Sequence, residues 1–179
     1  MKRLFPLILI LLLLPLGCLE NHPVGAPDSA GISVYFSPRG GCTKALIRAF
    51  NKAEKSIDAA IYAFTSRKIA KALIDAKNRG VKVRVIIDIG TARSKHCMGP
   101  LLERAGIPVR YKKGSGGGLM HNKYAVIDGR TVVTGSFNWT NSAEKRNDEN
   151  LVVITNSPAT AKRYERNFEK LWRLAELSN

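Results

Sequence analysis

The chain has 179 residues, 45% hydrophobic and 24% charged, a balance that suits one globular domain and excludes a disordered or collagen-like polymer. Its 29 Lys and Arg against 14 Asp and Glu give a formal net charge of +15. A field of that sign points to a polyanionic partner, nucleic acid or an anionic membrane, without telling the two apart.

Lys2 and Arg3 precede an apolar run from Leu4 to Leu16 that closes at Gly17 and Cys18, the layout of a secretory signal. The run is shorter than the ~20 residues a helix needs to cross a hydrocarbon core, so a permanent span is disfavoured. Gly17 and Cys18 also resemble a lipoprotein processing site with Cys18 as the lipidated residue, although Pro15 and Leu16 fit that pattern imperfectly. Residues 19–31, with Pro23, Gly25, Pro27, Ser29 and Gly31, carry no apolar period and read as a linker. The expectation is an exported chain, periplasmic, extracellular or tethered to a membrane, with a signal over 1–18 and a domain over 32–179. Removing residues 1–18 takes away Lys2 and Arg3 and no acid, leaving 27 basic and 14 acidic side chains, a net charge of +13.

In chain order, Ile32 to Phe36 alternates as a strand and Cys42 to Ala53 has helical apolar spacing. Ser56 to Ala63 reads as a buried strand and Ser66 to Asn78 as a helix, with Ser66 as its expected N-cap and Gly80 just beyond its end. Val81 to Ile89 is a strand, Met98 to Ala105 a helix, Val109 to Tyr111 a short strand, and Lys112 to Gly118 a basic, glycine-rich loop. Met120 to Ile127 and Thr131 to Thr134 form a hairpin about Asp128 and Gly129. A polar loop from Ser136 to Asp148, a strand from Asn150 to Thr155 and an amphipathic helix from Pro158 to Leu177 complete the chain, with no internal repeat. The alternation of strand and helix predicts a single α/β domain.

Cys42 and Cys97 are a candidate disulfide, since an exported domain meets oxidising surroundings. A zinc site from Cys42, Cys97, His96 and His22 has no close ligand pair except the adjacent His96 and Cys97, so no metal site is expected.

His121 and Lys123 lie two apart on an expected strand, so their side chains leave the same face and can converge on one small anion. Alone, such a pair is a common accident of a solvated strand. Here it is followed by Asp128, by Gly135, Ser136 and Asn138, and then by Glu149, so that the chain reads His-x-Lys-x4-Asp-x6-Gly-Ser-x-Asn with a later acid.

The run HNKYAVIDGRTVVTGSFNWT resembles the signature of the phospholipase D superfamily, and the upstream DAAIYAFTS stretch is similar to that family as well. The chain's size and single motif look like the short bacterial endonuclease members. The resemblance implies a mixed β-sheet with helices on both faces, a covalent phosphohistidine on His121, and no cofactor. It also implies that Glu149 holds the nucleophilic histidine.

Phosphodiester cleavage needs charge neutralisation, a nucleophile and a protonated leaving oxygen. Lys123 supplies fixed charge, and Ser136 and Asn138 supply hydrogen-bond donors for non-bridging oxygens. Asp128, at an Asp-Gly turn, is expected to act in support. A second histidine is needed for the leaving group, yet His22 lies in the linker and His96 lacks a lysine partner. A two-fold homodimer that brings two copies of His121 to one phosphate answers this need.

The motif does not choose between nucleic acid and phospholipid. Charge, with Arg110, Lys112 and Lys113 near the motif in sequence, favours nucleic acid bound through its phosphates, and Trp139 is a candidate for stacking on bases. The alternative is a phospholipid hydrolase acting on cardiolipin or phosphatidylcholine, with Leu119, Met120, Phe137 and Trp139 as apolar contacts. A third reading is a nucleic-acid-binding module with an inactive site.

Overall fold

The structure is a computed structural model that describes residues 30–177. The expected signal with Cys18, the linker up to residue 29 and His22 lie outside the described residues.

Eight strands form one sheet: β1 (Gly31–Ser37), β2 (Ser56–Ile61), β3 (Lys82–Asp88), β4 (Val109–Lys112), β5 (Lys123–Ile127), β6 (Thr131–Gly135), β7 (Glu149–Thr155) and β8 (Glu176–Leu177). Their order is β1-β7-β6-β5-β2-β3-β4-β8. β2, β3 and β4 run parallel, with α2 (Arg67–Asn78) and then α3 (Ile89–Ala92) and α4 (Gly99–Arg104) in their connections. Every other pairing is antiparallel. The sheet is therefore mixed, as the resemblance implied.

The helices sit where their apolar stripes require. α1 (Cys42–Asn51) and α2 bury Leu46, Phe50, Ile69 and Leu73 against Ile57, Ala59, Val85 and Ala125 on one face. α6 (Pro158–Arg173) buries Ala161, Phe168 and Leu171 against Ala60, Ile86, Tyr124 and Val126 on the other. Alternate residues of β2 and β5 thus feed two cores, and each large side chain sealed this way contributes about 1.5–3 kcal/mol.

Several boundaries differ from those read off the chain. The C-terminal helix stops at Arg173, and β8 returns to pair with β4. The polar loop after β6 contains a short helix, α5 (Asn141–Lys145), opened by the Thr140 hydroxyl accepting from the Ala143 amide. α3 follows β3 because Asp88 caps it, accepting from the amides of Gly90 and Thr91. Ser66 does not cap α2: its side chain makes no capping hydrogen bond. The strand expected from Met120 begins only at Lys123, so His121 precedes it.

Cys42 and Cys97 are both free and buried, which corrects the expected disulfide. Cys42 opens α1 beside Glu144 and Ser37, whereas Cys97 sits before α4, where its sulfur accepts from the Gly99 amide. Burial, the largest influence, raises both thiol pKa values, and neighbouring carboxylates, Glu144 for Cys42 and Glu103 for Cys97, add to it. Among the described residues no group of three or more His, Cys, Asp or Glu is placed to hold a metal ion.

Candidate active site

The motif residues collect at one end of the sheet because antiparallel pairing places the start of β5 and β7 beside the end of β2 and β6. Lys123 pairs with Ile61, Gly135 with Leu151, and Glu149 with Ser37. Gly135 has φ 140°, and a Cβ there would lie 2.3 Å from the Asn150 carbonyl oxygen, so this position of the Gly-Ser-x-Asn run admits only glycine.

Lys123 is 9% exposed. Its ammonium donates to the His121 carbonyl at 2.9 Å and lies 4.9 Å from the centre of the Tyr62 ring. Burial lowers its pKa, against the opposing pull of Glu149. His121 is exposed, with its ring centre 4.5 Å from that of Tyr62. One aromatic side chain therefore backs both the imidazole and the cation.

The main chain around His121 is pinned on both sides. The Met120 amide donates to Asp88 Oδ2 at 2.9 Å, and the Tyr62 amide donates to the Asn122 carbonyl at 2.8 Å. Asp88 is 1% exposed and also caps α3, so one buried carboxylate couples the motif to β3. Sequence reasoning missed Asp88 and Tyr62. An acid ending an apolar strand and followed by Gly90 and Thr91 was the available signal for Asp88.

Asn138 accepts from the Ala63 amide through Oδ1 at 3.3 Å, which leaves its NH2 group for another acceptor. Ser136 donates to Glu149 Oε2 at 2.5 Å and accepts from the Asn150 amide at 3.1 Å. The other oxygen of Glu149 accepts from Asn147 at 3.1 Å. Within the chain, then, the partners of Glu149 are Ser136 and Asn147 and not His121.

Asp128 sits at the far end of β5 and does not join this group. Its carboxylate accepts from the amides of Glu54, Lys55 and Ser56 at 2.7–3.3 Å. Desolvation works to raise its pKa, but those three amides and Arg130 outweigh it and hold the group below its ordinary value. It ties the β5–β6 turn to the start of β2.

Three residues expected to meet nucleic acid are engaged elsewhere. Arg110 donates to the Trp172 carbonyl at 2.7 Å and lies 4.5 Å over the Trp172 ring. Lys112 is 7% exposed, its ammonium on the Lys113 carbonyl. Trp139 is 1% exposed, packed edge-on against Phe50 and Phe64, so its indole cannot stack on a base. Only Lys113 of this set is exposed. Of the apolar contacts imagined for a lipid, Met120 and Phe137 are buried with Trp139, and Leu119 alone is exposed.

An imidazole, an ammonium and an amide NH2 thus collect at one end of an α/β sheet, with the Glu149 carboxylate held nearby by Ser136 and Asn147. The family model described as cardiolipin synthase, PLD-like domain, matches residues 46–172. A phospholipase D of Rickettsia conorii is 38% identical over 136 residues, covering 76% of this chain and 67% of that protein. A mitochondrial cardiolipin hydrolase of Xenopus tropicalis is 41% identical over 123 residues, which covers 68% of this chain and 57% of that one. The crystal structure of a phospholipase D family member, Nuc from Salmonella typhimurium, superposes with a TM-score of 0.80 at 33% identity, covering 84% of this chain and 99% of that one. The chain belongs to the phospholipase D superfamily and is a phosphodiesterase of that family.

Proposed function

We propose that the protein is a nuclease that hydrolyses the phosphodiester backbone of DNA or RNA with little sequence preference. The observation that carries the substrate class is the +13 charge of residues 19–179, on a chain whose apolar side chains flanking the motif in sequence, Met120, Phe137 and Trp139, are buried, with Leu119 exposed. A phosphate backbone is recognised by charge alone, whereas a lipid substrate also needs apolar surface for its acyl chains.

In the proposed reaction the neutral imidazole of His121 attacks phosphorus, forming a P–N bond as the bond to the leaving oxygen breaks. Lys123 and the Asn138 amide neutralise the non-bridging oxygens. The leaving oxygen takes a proton from a second imidazolium, which we assign to His121 of the partner subunit in a two-fold dimer. That imidazole then removes a proton from water, whose oxygen attacks phosphorus and releases His121. The exposed row Ile32, Val34 and Phe36 on edge strand β1, ending beside Ser37 and Glu149, offers apolar surface for such an assembly. Export of the chain, with or without lipidation at Cys18, is part of the same proposal.

The test is a paired assay in excess chelator, with plasmid DNA in one tube and cardiolipin vesicles in the other, for the wild type and His121→Ala. DNA cleavage that His121→Ala abolishes supports the reading. Cleavage of lipid alone would move the substrate to the phospholipid class that the family also contains, and activity surviving His121→Ala would remove the mechanism.

A further inference from the structure

A cleft of about 320 Å³ opens between the N-terminus of α2, the connection from α3 to α4, and α5. Four basic side chains line it, Arg67 and Lys68 from the first turn of α2 and Lys95 and His96 from the connection, together with Ser66 and Asn141. No carboxylate lines the cleft, and none of these cations forms an ion pair among the described residues. All four basic side chains are exposed.

This arrangement runs against the chain's own electrostatics. Arg67 and Lys68 stand at the positive end of a 12-residue helix that has no acid in its first turn. Ser66, which lines the cleft, makes no capping hydrogen bond, so the amides of the first turn are left without a side-chain acceptor. The basic side chains and the uncapped helix start both call for an anion with several acceptor oxygens.

The chain segment that leads into the cleft also holds residues of the motif. Tyr62 packs on His121, the Ala63 amide holds Asn138, and the amides of Thr65 and Ser66 both donate to the Trp139 carbonyl, at 3.0 and 2.9 Å. Three residues separate Tyr62 from Ser66, a backbone span of four steps and at most about 14 Å. A few nucleotides of a single strand bridge that distance.

We infer that this cleft is a phosphate subsite of the nuclease proposed above, in which Arg67, Lys68, Lys95 and His96 hold a backbone phosphate of the substrate strand on one side of the scissile bond. The inference rests on the nucleic-acid reading. A lipid fits the cleft poorly, because the apolar side chain in its wall, Met98, is itself buried and offers nothing to an acyl chain.

The experiment uses a His121→Ala background, so that binding is read without turnover, and a 12-nucleotide fluorescent single strand titrated by anisotropy across a salt series. One variant carries Arg67→Ala, Lys68→Ala, Lys95→Ala and His96→Ala. A control carries Lys162→Ala, Arg166→Ala and Lys170→Ala, which removes the same three formal charges from the exposed face of α6. The cleft variant is expected to bind roughly ten-fold more weakly, with the slope of log affinity against log salt reduced by about 2, while the control changes far less. Equal weakening in the two variants, or none in the cleft variant, overturns the subsite and leaves the nuclease reading standing. If the parent His121→Ala protein binds no strand while the wild type cleaves cardiolipin vesicles, the nucleic-acid reading falls and the subsite with it.

Discussion

The ammonium of Lys123 donates to the backbone carbonyl of His121 at 2.9 Å, so the two motif residues are joined through main chain rather than through their reactive tips. The cation is thereby held against the motif backbone and the Tyr62 ring and kept out of bulk water. A single carbonyl and the face of Tyr62 are modest recompense for desolvating an ammonium, so Lys123 is carried at a cost to the fold.

Lys123→Met is expected to lower turnover by at least ~10²-fold while stabilising the protein at neutral pH by about 1 kcal/mol, because an apolar chain of similar length replaces a buried charge. Denaturant unfolding beside an activity assay reads both effects. The pH dependence has a definite sign. The folded-state pKa of Lys123 lies below its ordinary 10.5, so the folded chain gives up this proton before the unfolded chain does. Stability therefore rises as pH climbs through the folded value toward 10.5, and Lys123→Met should remove that alkaline rise.

Asp128→Asn is expected to act on stability and not on the chemical step. The carboxylate accepts three backbone amides where β2 begins, and its loss should destabilise the fold by about 1–2 kcal/mol. Asn keeps the left-handed conformation at φ 52°, so the effect reports charge rather than backbone strain. Because the folded pKa lies below the ordinary 3.8, the wild-type stabilisation is full above that value and is lost as pH falls through the folded value. Acid unfolding of the variant should be correspondingly shallower, with turnover per folded molecule unchanged.

Trp139→Ala should destabilise by about 3–5 kcal/mol, the loss typical of a fully buried aromatic. The indole packs between Phe50 and Phe64 with ring centres 5.6 and 5.0 Å away. A variant that melts like the wild type but binds single strands more weakly would instead identify a base-stacking residue.

Reductant should leave the melting temperature unchanged, since Cys42 and Cys97 are separate buried thiols. Alkylation after unfolding without reductant, read by mass spectrometry, should modify both. A protected Cys42–Cys97 pair would contradict the structure.

What the sequence determined by itself was local. Apolar periods of two and of three to four residues mark β2, α2, β3 and α6, because each element shows its buried face in its own spacing. The chain of motif residues from His121 to Glu149 was legible for a related reason: its residue types recur at fixed offsets along three adjoining antiparallel strands, β5 to β7. The tertiary structure decided everything that depends on a distant partner. Asp88 reaches the Met120 amide across 32 positions, and Arg110 is drawn onto Trp172 across 62. Trp139 is sealed by Phe50 and Phe64, and β8 forms only because β4 offers it an edge. The cleft at Ser66 joins the start of α2 to Lys95 and His96, which no spacing rule connects. Local pattern depends on neighbours along the chain, whereas burial, hydrogen-bond partners and the meeting of charges depend on which segments the sheet order brings together.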